Sequence, residues 1–106
     1  MTEPTPGPAT GLAIADARDR QRYEATLGGE PAGILEYVVK RERIALVHTK
    51  VYEGHEGQGV GAGLVRFAFD DARGRGLKVI AICPYVQQYL VRHPAERDIV
   101  VGQVPG

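Results

Sequence analysis

Four glycines fall within seven residues at Gly57-Gln58-Gly59-Val60-Gly61-Ala62-Gly63. The segment separates a β-branched run, residues 43–51, from a stretch with helical apolar spacing that begins at Val60. Glycine permits backbone conformations closed to other residues and lets the main chain approach a ligand. The first turn of the following helix carries N–H groups with no partner inside the helix, and such groups bind anions. A phosphate or pyrophosphate is the natural occupant. The competing reading is a loop whose small residues let helix and sheet pack closely.

The flanking pattern says what the loop sits in. Tyr23, Ala25 and Leu27 alternate with Arg22, Glu24 and Thr26, the period of a half-buried strand. Gly28-Gly29-Glu30 is a turn signal, and residues 32–39 read as a second strand. Lys40-Arg41-Glu42 makes the next turn before the third strand at 43–51. Two short turns imply an antiparallel meander of three strands. After the glycines, Val60, Leu64, Val65, Phe67, Ala68 and Ala72 follow helical spacing, and Gly74 and Gly76 end the helix. The apolar run 77–82, bounded by Gly76 and Pro84, reads as a buried strand. Strand, helix and strand in that order predict a parallel pair between 43–51 and 77–82. A short helix begins at Pro84, and Ile99-Val100-Val101 is expected to add a last strand. Residues 12–20 allow either a helical turn or a continued arm. The fold class is therefore α/β, a mixed sheet with helices packed on it.

Composition narrows the function. The 106 residues suffice for one small domain, expected over 12–106, with residues 1–11 as a loose Pro/Gly/Thr-rich tail. Lys plus Arg and Asp plus Glu each number 13, so no basic excess is present to displace counterions from nucleic acid. A single cysteine, Cys83, rules out an intramolecular disulfide and paired-cysteine zinc sites; no metal site is expected. The start, Met1-Thr2-Glu3-Pro4, lacks a basic and apolar leader, and no run reaches the ~20 apolar residues of a membrane span. The expectation is a cytoplasmic protein with no nucleic-acid or membrane partner.

Three phosphate motifs compete for the glycine segment. A Walker loop requires Lys and Ser/Thr after its glycines, whereas Gly63 is followed by Leu64. Gly57, Gly59 and Ala62 have dinucleotide-fingerprint spacing, but three strands precede them and the following strand ends in Cys83-Pro84 rather than an acidic residue. The third motif, Gln/Arg-x-x-Gly-x-Gly/Ala, is met by Gln58, Gly61 and Gly63. Here the sequence resembles the GNAT superfamily of acyl-CoA-dependent N-acetyltransferases. It is most similar to the minimal, roughly 100-residue branch: His48-Thr49, Asp70-Asp71-Ala72-Arg73, Gly76-Leu77-Lys78-Val79, Cys83-Pro84-Tyr85, Tyr89 and His93-Pro94 come in its order across 22 to about 100.

The resemblance implies acetyl-CoA as co-substrate. Its pyrophosphate would lie on Gln58, Gly59, Val60, Gly61, Ala62 and Gly63, with Tyr89 also in contact. Its pantetheine arm would lie between the strands on either side of the helix. The acceptor is an amine, on a protein or a small molecule, met by a monomer or homodimer. So small a domain implies either an open cleft or a pocket completed by a second subunit.

Acetyl transfer requires a deprotonated amine, a polarised carbonyl and a proton or other stabilisation for the leaving thiolate. Cys83 closes the second parallel strand at a helix start, where thiols are the more reactive ones; the alternative is a small buried hydrophobe. Tyr85 and Tyr89 share a helix face, as a phenolic acid or as core. His48 lies in the strand expected to flank the coenzyme, and strand parity puts it on one face with Ile44 and Leu46. An imidazole there could relay the amine's proton, or simply be a hydrogen-bonded structural residue. In the minimal branch an acidic residue usually follows the position of Thr49; Lys50 stands there instead. That departure keeps a non-catalytic CoA-binding module as an alternative, beside a nucleotide-binding oxidoreductase fragment. Glu53, Glu56 and His55 are expected on the surface, Asp70 and Asp71 on a polar helix face, and Arg92 and His93 at solvent or at the coenzyme phosphates.

Overall fold

Alternating apolar and polar residues in the first half of the chain build one continuous antiparallel ladder. The computed structural model describes residues 11–102, so residues 1–10 of the expected tail lie outside the described residues. Strands β1 (Leu12–Ala17), β2 (Arg22–Leu27), β3 (Glu30–Lys40) and β4 (Arg43–Val51) precede helix α1 (Val60–Arg75), strand β5 (Lys78–Ala81) and helix α2 (Pro84–Arg92). The sheet order is β1-β2-β3-β4-β5. The first four strands are antiparallel, and β5 runs parallel to β4 as the strand-helix-strand pattern predicts.

Two expectations about strands need correction. Residues 12–17 form a strand, so the antiparallel part has four members rather than three. Leu12, Ile14 and Asp16 are half-buried and alternate with exposed Ala13 and Ala15. Alanine on the outward positions hid the period, because it suits a helix equally well. At the other end, the expected strand over 99–101 is reduced to one parallel bridge, Val79↔Val100. Residues Pro94–Ile99 wind into a 3-10 turn instead. Arg73 holds that turn against α1 through Glu96 at 2.7 Å and Asp98 at 2.7 and 2.9 Å.

One face of the sheet carries the core. Leu64, Val65, Ala68, Phe69 and Ala72 of α1 are fully buried against Tyr23, Leu35, Ile44, Leu46 and Val79. Helix α2 adds Val86, Tyr89 and Leu90 to the same cluster. Gly59 and Gly76 bracket α1 in left-handed conformation. Asp71 is not a solvated residue of a polar face: it accepts from the Tyr23 hydroxyl at 2.7 Å and from Arg75 at 3.1 Å. Asp70 is exposed. Among the described residues no helix is long and apolar enough to cross a membrane.

Candidate active site

The site is built by the way β4 and β5 stop pairing. Their ladder runs from Arg43↔Lys78 to Leu46↔Ala81 and ends there, while β4 continues to Val51. At the point of separation both Ile82 N–H and Cys83 N–H donate to the Leu46 carbonyl, at 3.1 and 2.9 Å. The Gln87 side-chain amide, one turn into α2, donates to the Ala81 and Ile82 carbonyls and fixes the end of β5. A notch opens between the strand ends.

A bulge in β4 sets which side chains face that notch. Tyr37 pairs with Leu46 and Glu36 with His48, so Val47 is the extra residue. A one-residue insertion exchanges the two faces of everything beyond it. Parity counted from Ile44 and Leu46 would put His48 inside; the bulge puts it outside. His48 is exposed, and half-buried Thr49 takes the inward place opposite fully buried Leu35. The Thr49 hydroxyl then lies 3.4 Å from the Cys83 thiol, which is itself buried at 2% exposure.

Helix α1 starts at the same end of the sheet, because the chain enters it directly from β4. Gly57 and Gly59 adopt φ of 76° and 79°. Nothing lies within 4 Å of the place a Gly57 side chain would occupy, so this turn presents bare backbone to solvent. Gln58 is exposed between them, and Gly59 caps the helix with no side-chain hydrogen bond. The motif then divides. A Cβ on Gly61 would stand 2.6 Å from the Tyr85 hydroxyl oxygen, and one on Gly63 would stand 2.7 Å from a Leu12 methyl. Val60 is fully buried and Ala62 half-buried. Gly61 and Gly63 thus serve close packing, while the Gly57–Gly59 turn keeps its backbone uncovered.

Beyond the packing glycines, Ala62, Tyr85, Gln88, Tyr89, Arg92 and His93 line a cleft of about 250 Å³ between α1 and α2. Tyr89 is buried and stacks on His93 at 4.1 Å between ring centroids. Burial, with Glu96 nearby, pushes its hydroxyl pKa up. Tyr85 is 41% exposed and reaches the first turn of α1 rather than the notch.

Among the sequence-predicted residues, Cys83 stands at the notch, His48 on the opposite face of β4, and Tyr85 and Tyr89 at the cleft beside the glycine helix. His55, expected at the surface, is half-buried with its Nδ1 enclosed and unpartnered, the one such side-chain atom among the described residues. Glu56 is exposed and accepts from Gly54 N–H at 3.0 Å, and Glu53 and Lys50 are exposed. Thr49, Gln87 and Gly33 were not given roles from sequence. Gly33 did carry a signal, since an isolated glycine within an apolar strand marks a bulge or a close approach. A Cβ there would meet the Lys50 carbonyl at 2.7 Å and Val60 at 3.1 Å.

Parallel strands that part at their carboxyl ends, each followed by a helix whose start points into the gap, form a ligand site typical of α/β sheets. Residues 22–99 match the family described as GCN5-related N-acetyl-transferase. The chain belongs to the GCN5-related N-acetyl-transferase family. A GCN5-like N-acetyltransferase candidate from Staphylococcus aureus, solved by NMR, aligns with TM-score 0.66 and 25% identity over 89% of this chain and 92% of its own. Ribosomal-protein-alanine N-acetyltransferase from Brucella melitensis biovar Abortus 2308 aligns with TM-score 0.57 and 20% identity, over 86% of this chain and 70% of that one. Ard1 from Thermoplasma volcanium gives TM-score 0.55 and 15% identity, over 78% of this chain and 57% of that one. The last two likenesses concern the fold alone. No curated protein matches this chain. As a GCN5-related N-acetyl-transferase the chain is an enzyme, and the mixed five-stranded sheet is the frame of its family.

Proposed function

We propose that this enzyme transfers the acetyl group of acetyl-CoA to an amine at the notch between β4 and β5. The observation that carries the proposal is the convergence at one end of the sheet of the Leu46 branch point and the bare left-handed turn Gly57–Gly59. The residues fit the coenzyme. Free N–H groups at the start of α1 suit a pyrophosphate, and the notch is open for an extended arm. Arg92 and His93 at the cleft suit the remaining phosphate charge.

Acetyl-CoA bound there supplies the thioester whose carbonyl carbon the amine attacks as the carbon–sulfur bond breaks. Cys83 hands its thiol proton to the departing sulfur, and Thr49 holds the thiol in place. Cys83 recovers its proton from the acceptor nitrogen, which sheds one as the amide forms. His48 faces away from the notch on the other side of β4, so the acceptor proton returns to Cys83 without it. Tyr85 covers the first turn of α1 and positions the coenzyme rather than acting as the acid.

A thermal shift with acetyl-CoA, free CoA and NAD in parallel tests the cofactor. At 100 times its dissociation constant a ligand adds ~2.7 kcal/mol, a shift on the order of 10 °C for a domain of this size. Stabilisation by both CoA species and not by NAD supports the reading; no response to either CoA species removes it. Release of free thiol with an amine panel then separates transfer from a non-catalytic CoA-binding module, the alternative that Lys50 keeps open.

A further inference from the structure

The sheet face opposite the helices carries a feature that acetyl transfer does not use. Val38, Ala45 and Ile80 form the apolar floor of an open groove of about 840 Å³, with Lys40, Arg41 and Arg43 on its rim. Val38 is 46% exposed, a large apolar side chain left uncovered. Glu42 is the single acid of the lining, and Lys78 stands beside Arg43 by register. Among the described residues the ion pairs involve other side chains, and Lys40, Arg41, Arg43 and Lys78 join none. A chain of zero formal charge thus concentrates unpaired cations around one apolar strip.

The backbone adds an independent observation. Lys40↔Arg43 closes a two-residue hairpin, and its first central residue, Arg41, adopts φ of 60°. That position favours glycine. The preceding hairpin, closed by Leu27↔Glu30, uses Gly28 and Gly29 at φ of 60° and 88°. The first central position of both turns thus has positive φ, with glycine in one and arginine in the other. Arginine fits this backbone conformation less well than glycine, yet it places a guanidinium on the groove rim.

We infer that this groove docks an acidic, apolar segment of a partner protein. Alternating apolar residues of an extended segment would cover Val38, Ala45 and Ile80, and its carboxylates would meet the rim cations, Arg41 and Arg43 offering forked donors. Nucleic acid fits less well, since the floor is apolar and no aromatic side chain in the lining offers a base a stacking surface. The groove lies at the Arg43/Lys78 end of the parallel pair, away from Cys83, so docking does not depend on the acetyl-transfer reading.

The test is fluorescence anisotropy of a fluorescein-labelled peptide, Glu-Leu-Glu-Val-Glu-Leu-Glu, with the whole chain and no acetyl-CoA. The expected result is saturable binding that weakens with salt and falls roughly tenfold or more in Arg43→Glu. Arg41→Gly relieves the turn, so it should raise the melting temperature while weakening the peptide. That combination is beyond a purely structural arginine. Absence of saturable binding, binding unchanged in both variants, or displacement of the peptide by duplex DNA or by phosphatidylserine vesicles at lower concentration than by unlabelled peptide would each overturn the inference.

Discussion

The hydroxyl of Thr49 lies 3.4 Å from the thiol of Cys83, joining the strand before the glycine helix to the helix start after it. With Cys83 at 2% exposure, Thr49 is the polar group that orients it. If the thiol protonates the departing sulfur, Cys83→Ala should lower kcat by about 100-fold or more, the range of general acid catalysis. Thr49→Val keeps the shape and loses the hydroxyl. It should lower kcat about tenfold and leave KM for acetyl-CoA unchanged, because a hydrogen bond that orients an acid acts on the chemical step. Steady-state kinetics on folded variants decide it. Full turnover in Cys83→Ala with a lower melting temperature would reduce the cysteine to packing.

Gly33 fixes how closely α1 approaches the sheet. Its missing side chain is the space taken by the Lys50 carbonyl and by Val60, the first residue of the helix. A backbone oxygen cannot swing aside as a side chain can, so Gly33→Ala must move β4 or α1. Urea unfolding should show a loss of about 1–3 kcal/mol, the usual cost of overpacking, with m unchanged. The acetyl-CoA thermal shift should shrink as well, because the displaced helix start is the proposed pyrophosphate seat. A variant of normal stability would mean that the approach is looser than the structure has it.

Gly61 and Tyr85 form a pair whose coupling is measurable. An alanine Cβ at 61 would stand 2.6 Å from the Tyr85 hydroxyl oxygen and 2.7 Å from the adjoining ring carbon. Tyr85 is exposed enough to rotate away, so Gly61→Ala alone should change stability little while displacing the ring. In a Tyr85→Ala background the clash is gone. The helix-propensity gain of about 1 kcal/mol should then appear in full. A double-mutant cycle by chemical unfolding reads the difference, and additivity would show that the contact carries nothing.

The sequence made the order of elements and the ends of α1 readable because glycine and proline mark them sharply. Gly76 and Pro84 bound β5, and Gly59 opens α1 where the apolar spacing changes. Strand β1 was hidden because its outward positions are alanine. The inward side of β4 was hidden by something no periodicity carries, the single extra residue Val47, which turns His48 out and Thr49 in. Register between strands depends on both partners, and a bulge exists only in the pairing. For the same reason the glycine segment could be read as ligand turn or as packing surface but not divided between them. Only the positions of Tyr85 and Leu12 assign Gly61 and Gly63 to packing.

A cluster far from the notch sets a dependence on alkaline pH. The Tyr37 hydroxyl donates to Asp16 at 2.5 Å, and burial together with that carboxylate pushes its pKa up to about 12. An ordinary tyrosine ionises near pH ~10. A raised pKa means that the folded state holds the proton more tightly than the unfolded chain. The contribution is therefore complete below about pH 10 and is lost as pH rises toward the folded value. Tyr37→Phe lacks both the hydrogen bond and the proton. The gap in urea midpoint between the native sequence and Tyr37→Phe should be widest at neutral pH and close steadily above about pH 10. Tyr23, donating to Asp71, is also raised, first by its burial and then by that carboxylate, and Tyr37 is the smallest of its causes, so most of its contribution is common to both proteins. A gap that stays constant across that window would show that Tyr37 releases its proton as readily folded as unfolded, and that the Asp16 bond does not hold it.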